Sequence, residues 1–191
     1  MKKYTLALVL GLLLPNMVLA HEFAQGSGFI AGLSHPVLGF DHLLAMISVG
    51  ILSAQIGGKA IWTVPSAFVG LMLIGGILGI QGIPLFSVEL GIALSVLALG
   101  IAIAAEKKLS IMLAMIFVGF FALFHGHAHG TEMPNLATPL LYALGFVLGT
   151  GGIHLAGVFI GIFSKRINGA AELLRFIGAG IAGIGFHLII M

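Results

Sequence analysis

The sequence contains no cysteine. Disulfide scaffolds, thiolate zinc sites and iron–sulfur clusters are therefore excluded. It also has little charge. Only 7% of its 191 residues are Asp, Glu, Lys or Arg, against about 25% in a soluble domain. A chain this poor in charge cannot cover its surface with polar groups. Its eight Lys and Arg residues fall in small scattered clusters, without the basic stripe that marks a nucleic-acid partner. No G-x4-G-K-[ST] loop is present, so the chain has no loop of that type with which to use ATP.

Apolar residues are abundant. They make up 60% of the chain, and the mean hydropathy is +1.21. The expected fold is all-α, a polytopic membrane helix bundle forming one domain. Residues 1–20 read as a cleaved signal peptide. Lys2 and Lys3 precede an apolar run, Pro15 and Asn16 interrupt it, and Val18, Leu19 and Ala20 form a small-residue cleavage site. The transporter domain would then be 21–191. Windows long enough to cross lipid, about 20 residues, predict six transmembrane helices near 34–56, 60–80, 85–105, 109–130, 136–163 and 170–190.

Loop charges alternate. Lys59, the pair Lys107 and Lys108, and the pair Lys165 and Arg166 occupy every second loop, whereas 81–84 and 131–135 hold no Lys or Arg. The positive-inside rule places the basic loops in the cytoplasm. Both mature termini then face the periplasm, and a bacterial inner membrane fits a multi-pass chain that follows a signal peptide.

Eight histidines against six acids are an unusual load, because ionisable groups in lipid are costly. One cluster is FHGHAHGTE, 124–132. On a helix, His125, His129 and Glu132 share a face and His127 points nearly opposite. Gly126 and Gly130 keep bulk low, which suits a neighbouring backbone or an ion. The second cluster is SHPVLGFDH, 34–42. Pro36 suits a first helical turn. His35 and His42, at i and i+7, would share a face about 10 Å apart along the axis, with Asp41 turned about 100° away. The loop charges put both clusters at the periplasmic level. Neither span supplies a Lys or Arg there, and unpaired buried carboxylates are costly. A bound divalent cation held by His35, Asp41, His42, His125, His129 and Glu132 supplies the missing charge.

Other groups are accessory candidates. Glu89 could line the same cavity or simply face an interface. His154 follows GTGG, 149–152, where a broken or closely packed helix could carry an inner relay site; it and His187 equally suit hydrogen bonds between helices. Cleavage after Ala20 would leave His21 with a free amine beside its imidazole and Glu22 next door, a chelate for a divalent metal. His127 is expected at lipid headgroups or water. Glu172 and Arg175, at i and i+3, read as an ion pair.

The motifs His-x5-Asp-His (His35, Asp41, His42) and Phe-His-Gly-x-Ala-His-Gly-x-Glu (Phe124 to Glu132) resemble the HupE/UreJ family, nickel permeases accessory to hydrogenase and urease. The HEF start of the mature chain and the six spans are similar as well. This resemblance implies Ni2+ uptake by a protein that is not an enzyme and holds no permanent cofactor. The residues alone indicate a divalent metal. Imidazole and carboxylate ligands suit nickel, cobalt or zinc, and the scattered methionines do not suggest copper(I). A cobalt permease of the same architecture, an intramembrane metal-dependent enzyme and a haem protein with axial histidines are the rivals. HGHAHGTE is not the His-Glu-x2-His pattern of a metallohydrolase. The expected partners are the metal ion and the bilayer, with no nucleic acid; self-association is left open.

Overall fold

The computed structural model describes residues 28–106, 109–133 and 138–191. The expected signal peptide, 1–20, and His21, Glu22, Lys107 and Lys108 lie outside the described residues. The described residues form α1 (Gly28–Leu38), α2 (Phe40–Ile56), α3 (Ala60–Ile80), α4 (Val88–Ala105), α5 (Ile111–Thr131), α6 (Pro139–Ser164) and α7 (Ala170–Ile190). No strand occurs among them. Five helices are long and apolar enough to cross a membrane, or six when α1 and α2 count as one broken span. Large apolar side chains face outward, with Phe86 89%, Met112 73% and Trp62 67% exposed. In water this surface would be a liability; in lipid it is the expected one. The chain is a multi-pass membrane protein.

The first span departs from its expected form. It begins earlier than residue 34 and is not one helix. α1 and α2 meet at Gly39 with a bend of 83°. Gly39 is in extended conformation, φ −89° and ψ 113°, which ends one helix and starts another. Pro36 lies inside α1 near its end, not in a first turn. It removes a backbone N–H there and weakens the helix just before the break. The other five spans fall within a few residues of their predicted windows.

Helices pair through glycine faces. A Cβ on Gly126 would strike the Met72 carbonyl and one on Gly130 the Gly76 carbonyl, while Gly75 and Gly79 of α3 meet the Leu123 and His127 carbonyls. Lipid tails are as apolar as leucine, so close backbone packing is what holds such helices together. Gly126 and Gly130 thus make room for α3 rather than for an ion. Through 149–152 helix α6 runs unbroken. Gly149 packs on the Leu33 carbonyl, and Gly151 and Gly152 face open space. Between the helices lies a core that includes Met46, Leu52, Phe68, Met72, Leu99 and Val118.

Basic residues cap the end of the bundle remote from the two histidine motifs. Lys165 Nζ donates to the Ala54 and Gln55 carbonyls at 2.6 and 3.4 Å. These are among the last carbonyls of α2, which lack helical partners. Arg175 Nε does the same for Ala104 of α4, at 3.1 Å. Arg175 therefore serves a helix end. The ion pair expected with Glu172 is not formed among the described residues.

Candidate metal centre

Helices α1, α2, α4 and α5 bring polar side chains to one end of the bundle. His35, Asp41, His42, Glu89, His129 and Glu132, with Leu38 and Gly39, line a cavity of about 310 Å³. The bend at Gly39 is what makes this convergence. On a straight helix His35 and His42 would be stacked about 10 Å apart. On two helices they approach one ring from different sides: His129 lies 4.8 Å from His35 and 4.1 Å from His42, centroid to centroid.

His129 is the hub. It is 3% exposed, and neither ring nitrogen has a hydrogen-bond partner. Buried polar atoms are nearly always satisfied, so an orphaned imidazole that lines a polar cavity calls for a ligand. One nitrogen each of His35 and His129 and one oxygen of Glu132 lie within 4.8 Å of one another. His35 Nε2 donates to Glu132 Oε2 at 3.1 Å. That hydrogen bond holds the Glu132 carboxyl below the usual carboxylate range, against the opposing effect of burial.

Asp41 sits in the first turn of α2, where the helix dipole favours negative charge. Its Oδ1 accepts the His42 backbone N–H at 2.9 Å and lies 3.9 Å from His42 Nε2. The cavity thus gathers three carboxylates and three imidazoles, with no Lys or Arg in its lining. Asp41 is half-buried, Glu89 and Glu132 are exposed, and a cation would neutralise the set.

Gly39 belongs to the site as well as to the fold. A Cβ there would lie 2.8 Å from His42 Cδ2, and the His42 ring is held from behind by His125 at 3.0 Å. Gly39→Ala is expected to displace that ring at a cost of about 1–3 kcal/mol. The protein should remain in the membrane while binding of a divalent metal at the cavity weakens several-fold. Unchanged metal binding by the purified variant would show that the His42 position is not critical.

The structure redistributes the other candidates. His125 does not line the cavity. It lies one turn deeper on α5, is 0% exposed, and meets Ser95 at 2.8 Å and His42 at 3.0 Å. The wheel placed it correctly by angle, but its depth puts it behind the lining. Glu89 joins the lining in its place. His127 was expected at headgroups or water and is instead buried at 8% exposure. Its Nε2 donates to the Ile83 carbonyl at 2.8 Å, which pins the α3–α4 loop to α5. His127→Ala should destabilise the protein by about 1–3 kcal/mol by stranding that carbonyl, and leave most binding of a divalent metal at the cavity intact. Thermal unfolding and metal binding together check this; a loss of binding equal to that of His129→Ala would place His127 among the working groups.

His154 stands apart on α6. The Phe68 ring neighbours both it and His125, 5.6 Å from His125 and 5.1 Å from His154. Both His154 nitrogens lack partners, and His154 lines a separate apolar groove between α3 and α6. Ser95 and Phe68 carried no signal in the sequence: one serine and one phenylalanine in apolar helices are indistinguishable from ordinary packing.

A family model described as HupE / UreJ protein matches residues 7–188. Protein HupE of Rhizobium leguminosarum bv. viciae is 44% identical over 180 residues, covering 94% of this chain and 93% of that protein. No solved structure matches.

Proposed function

Because the chain belongs to the HupE/UreJ family, we propose that it carries a divalent transition metal, Ni2+ foremost, into the cell without ATP. The observation that carries this reading is the cavity: three carboxylates and three imidazoles with no Lys or Arg among them. Imidazole is a borderline donor and carboxylate a hard one, and the mixed set suits nickel, cobalt or zinc. The resemblance to this family supports nickel as the ion carried, destined for hydrogenase or urease.

In this reading the signal peptide is removed, the chain lies in the bacterial inner membrane, and the cavity faces the periplasm. His21 and Glu22 at the freed terminus collect ions. An arriving ion replaces the proton shared by His35 and Glu132, and Asp41, His42, His129 and Glu89 complete its shell. Imidazole and carboxylate both release the ion on protonation, so the site can hold it briefly and let it go. Beyond Phe68, His154 offers a further stop toward the cytoplasm. The membrane potential suffices as a driving force. It gives about 2.3 kcal/mol per charge per 100 mV, so a divalent ion gains about twice that, more than three decades of concentration. The chain is then a permease, neither an enzyme nor a holder of a resident cofactor.

Uptake of radiolabelled nickel, cobalt and zinc, with and without a proton uncoupler, tests the reading. Nickel accumulation above vector-only cells, reduced when the potential is collapsed, is the expected result. Equal counts with and without the protein would refute it.

A further inference from the structure

One serine fixes the hydrogen positions behind the cavity. Ser95 Oγ lies 2.6 Å from the Ile92 carbonyl and 2.8 Å from His125 Nε2. A carbonyl oxygen has no hydrogen to give, so the single hydroxyl hydrogen of Ser95 occupies the shorter contact. Only lone pairs of Ser95 Oγ remain for His125. The hydrogen on the second contact therefore belongs to His125 Nε2, which donates.

His125 is 0% exposed, and both its hydrogen-bond contacts are to neutral-type partners, Ser95 and His42. A charged ring would be buried there without a carboxylate in contact, which is strongly unfavourable. The ring is neutral and has one hydrogen, already placed on Nε2. Its Nδ1 is a lone pair. His42 Nδ1 lies 3.0 Å from that lone pair, so the hydrogen between them is on His42. This fixes the last group in the chain. With its hydrogen on Nδ1, a neutral His42 has a bare lone pair on Nε2. That atom belongs to a ring lining the cavity and lies 3.9 Å from Asp41 Oδ1. Two electron-pair donors then face one gap.

We infer that Ser95 and His125 are positioning residues that lock His42 in the tautomer whose Nε2 electron pair faces the cavity. A free neutral imidazole can place its hydrogen on either nitrogen, and only one choice leaves Nε2 able to bind a cation. The hydrogen bond made by the other ring nitrogen generally selects the tautomer of a metal-binding histidine. Here it is relayed from Ser95 on α4 through a second ring, that of His125. The inference rests on the transport reading for its purpose, but not for its geometry.

Ring 13C and 15N NMR shifts of the full-length protein in bilayers, labelled at histidine, test it. His42 signals are those missing from His42→Asn. The wild-type spectrum is expected to show the His42 hydrogen on Nδ1. Ser95→Ala removes the acceptor of His125 Nε2–H, and it is expected to move the His42 hydrogen to Nε2 at least in part. It should also raise the KM for radiolabelled nickel ~10-fold, with the maximal rate within about twofold. Ser95→Thr, which keeps the hydroxyl, should restore both readouts. A structural role alone would not move the His42 tautomer. A wild-type His42 with its hydrogen on Nε2, or Ser95→Ala leaving tautomer and KM unchanged, would overturn the inference. The expected tautomers in a chain that moves no nickel, cobalt or zinc would support the relay and overturn the transport reading.

Discussion

Asp41→Ala is expected to abolish nickel accumulation while the protein stays in the membrane. Asp41 contributes one of three carboxylates to a cavity that also holds His35, His42 and His129. Asp41 is half-buried; once an ion fills the cavity and excludes water, truncating one member of the charge pair costs about 2–5 kcal/mol, which is roughly 30-fold to several-thousandfold in affinity. The alanine also removes an acceptor from the first turn of α2, because Asp41 Oδ1 bonds the His42 N–H. Asp41→Asn separates the two effects. It keeps a carbonyl oxygen for the N–H and loses only the charge. Asn is expected to fail in uptake nearly as completely as Ala, at normal abundance in the membrane fraction. His129→Ala should match it, since His129 touches both His35 and His42. Normal uptake by Asp41→Asn or His129→Ala would remove these residues from the ion's path.

Gly126→Val is expected to cost the folded protein itself. Even a methyl group on Gly126 would meet the Met72 carbonyl, and its neighbours on α3 present backbone too. Backbone cannot swing aside as a flexible side chain can, so α3 and α5 must separate. Overpacking typically costs about 1–3 kcal/mol and occasionally more, against a total stability of about 5–15 kcal/mol. Because α5 also carries His125, His129 and Glu132, the site would go with the fold. Gly151 provides the control. Nothing lies within 4 Å of a Cβ at that position, so Gly151→Ala should be tolerated. Membrane abundance and thermal unfolding measure the contrast. Equal stability of Gly126→Val and Gly151→Ala would mean that the α3–α5 packing is looser than described.

What could be read from the sequence was whatever depends on composition and on position along the chain. The later spans were legible because runs of apolar residues end at glycine, proline or charge. The convergence of the two histidine motifs at one level was legible because short loops force successive helices to run antiparallel. The break at Gly39 was not. A helical wheel carried through 34–42 assumes continuity, and nothing in HPVLGFDH distinguishes a glycine within a helix from one that bends it by 83°. His35 and His42 do meet around His129, but for a reason opposite to the one their spacing suggested. Helical angle also hides depth. His125 and His129 share a face, yet four residues separate them by about 6 Å along the axis. That distance puts one in the cavity and the other behind it. Ser95 was invisible for a further reason. A serine in a membrane helix normally bonds back to its own helix, as Ser95 does to Ile92, and that habit says nothing about a histidine on the next helix. Arg175 bonds the Ala104 carbonyl at the end of α4 rather than Glu172, because the spacing of two residues on one helix carries no information about the end of a neighbouring helix.

The central claim is that the cavity of His35, Asp41, His42, Glu89, His129 and Glu132 passes a divalent cation across the membrane. Its most direct test is radiolabelled nickel influx into liposomes that contain only the purified protein, with an inside-negative potential imposed. The account expects saturable accumulation that vanishes when the potential is collapsed and is absent with Asp41→Asn. Influx no greater than in protein-free liposomes would contradict it.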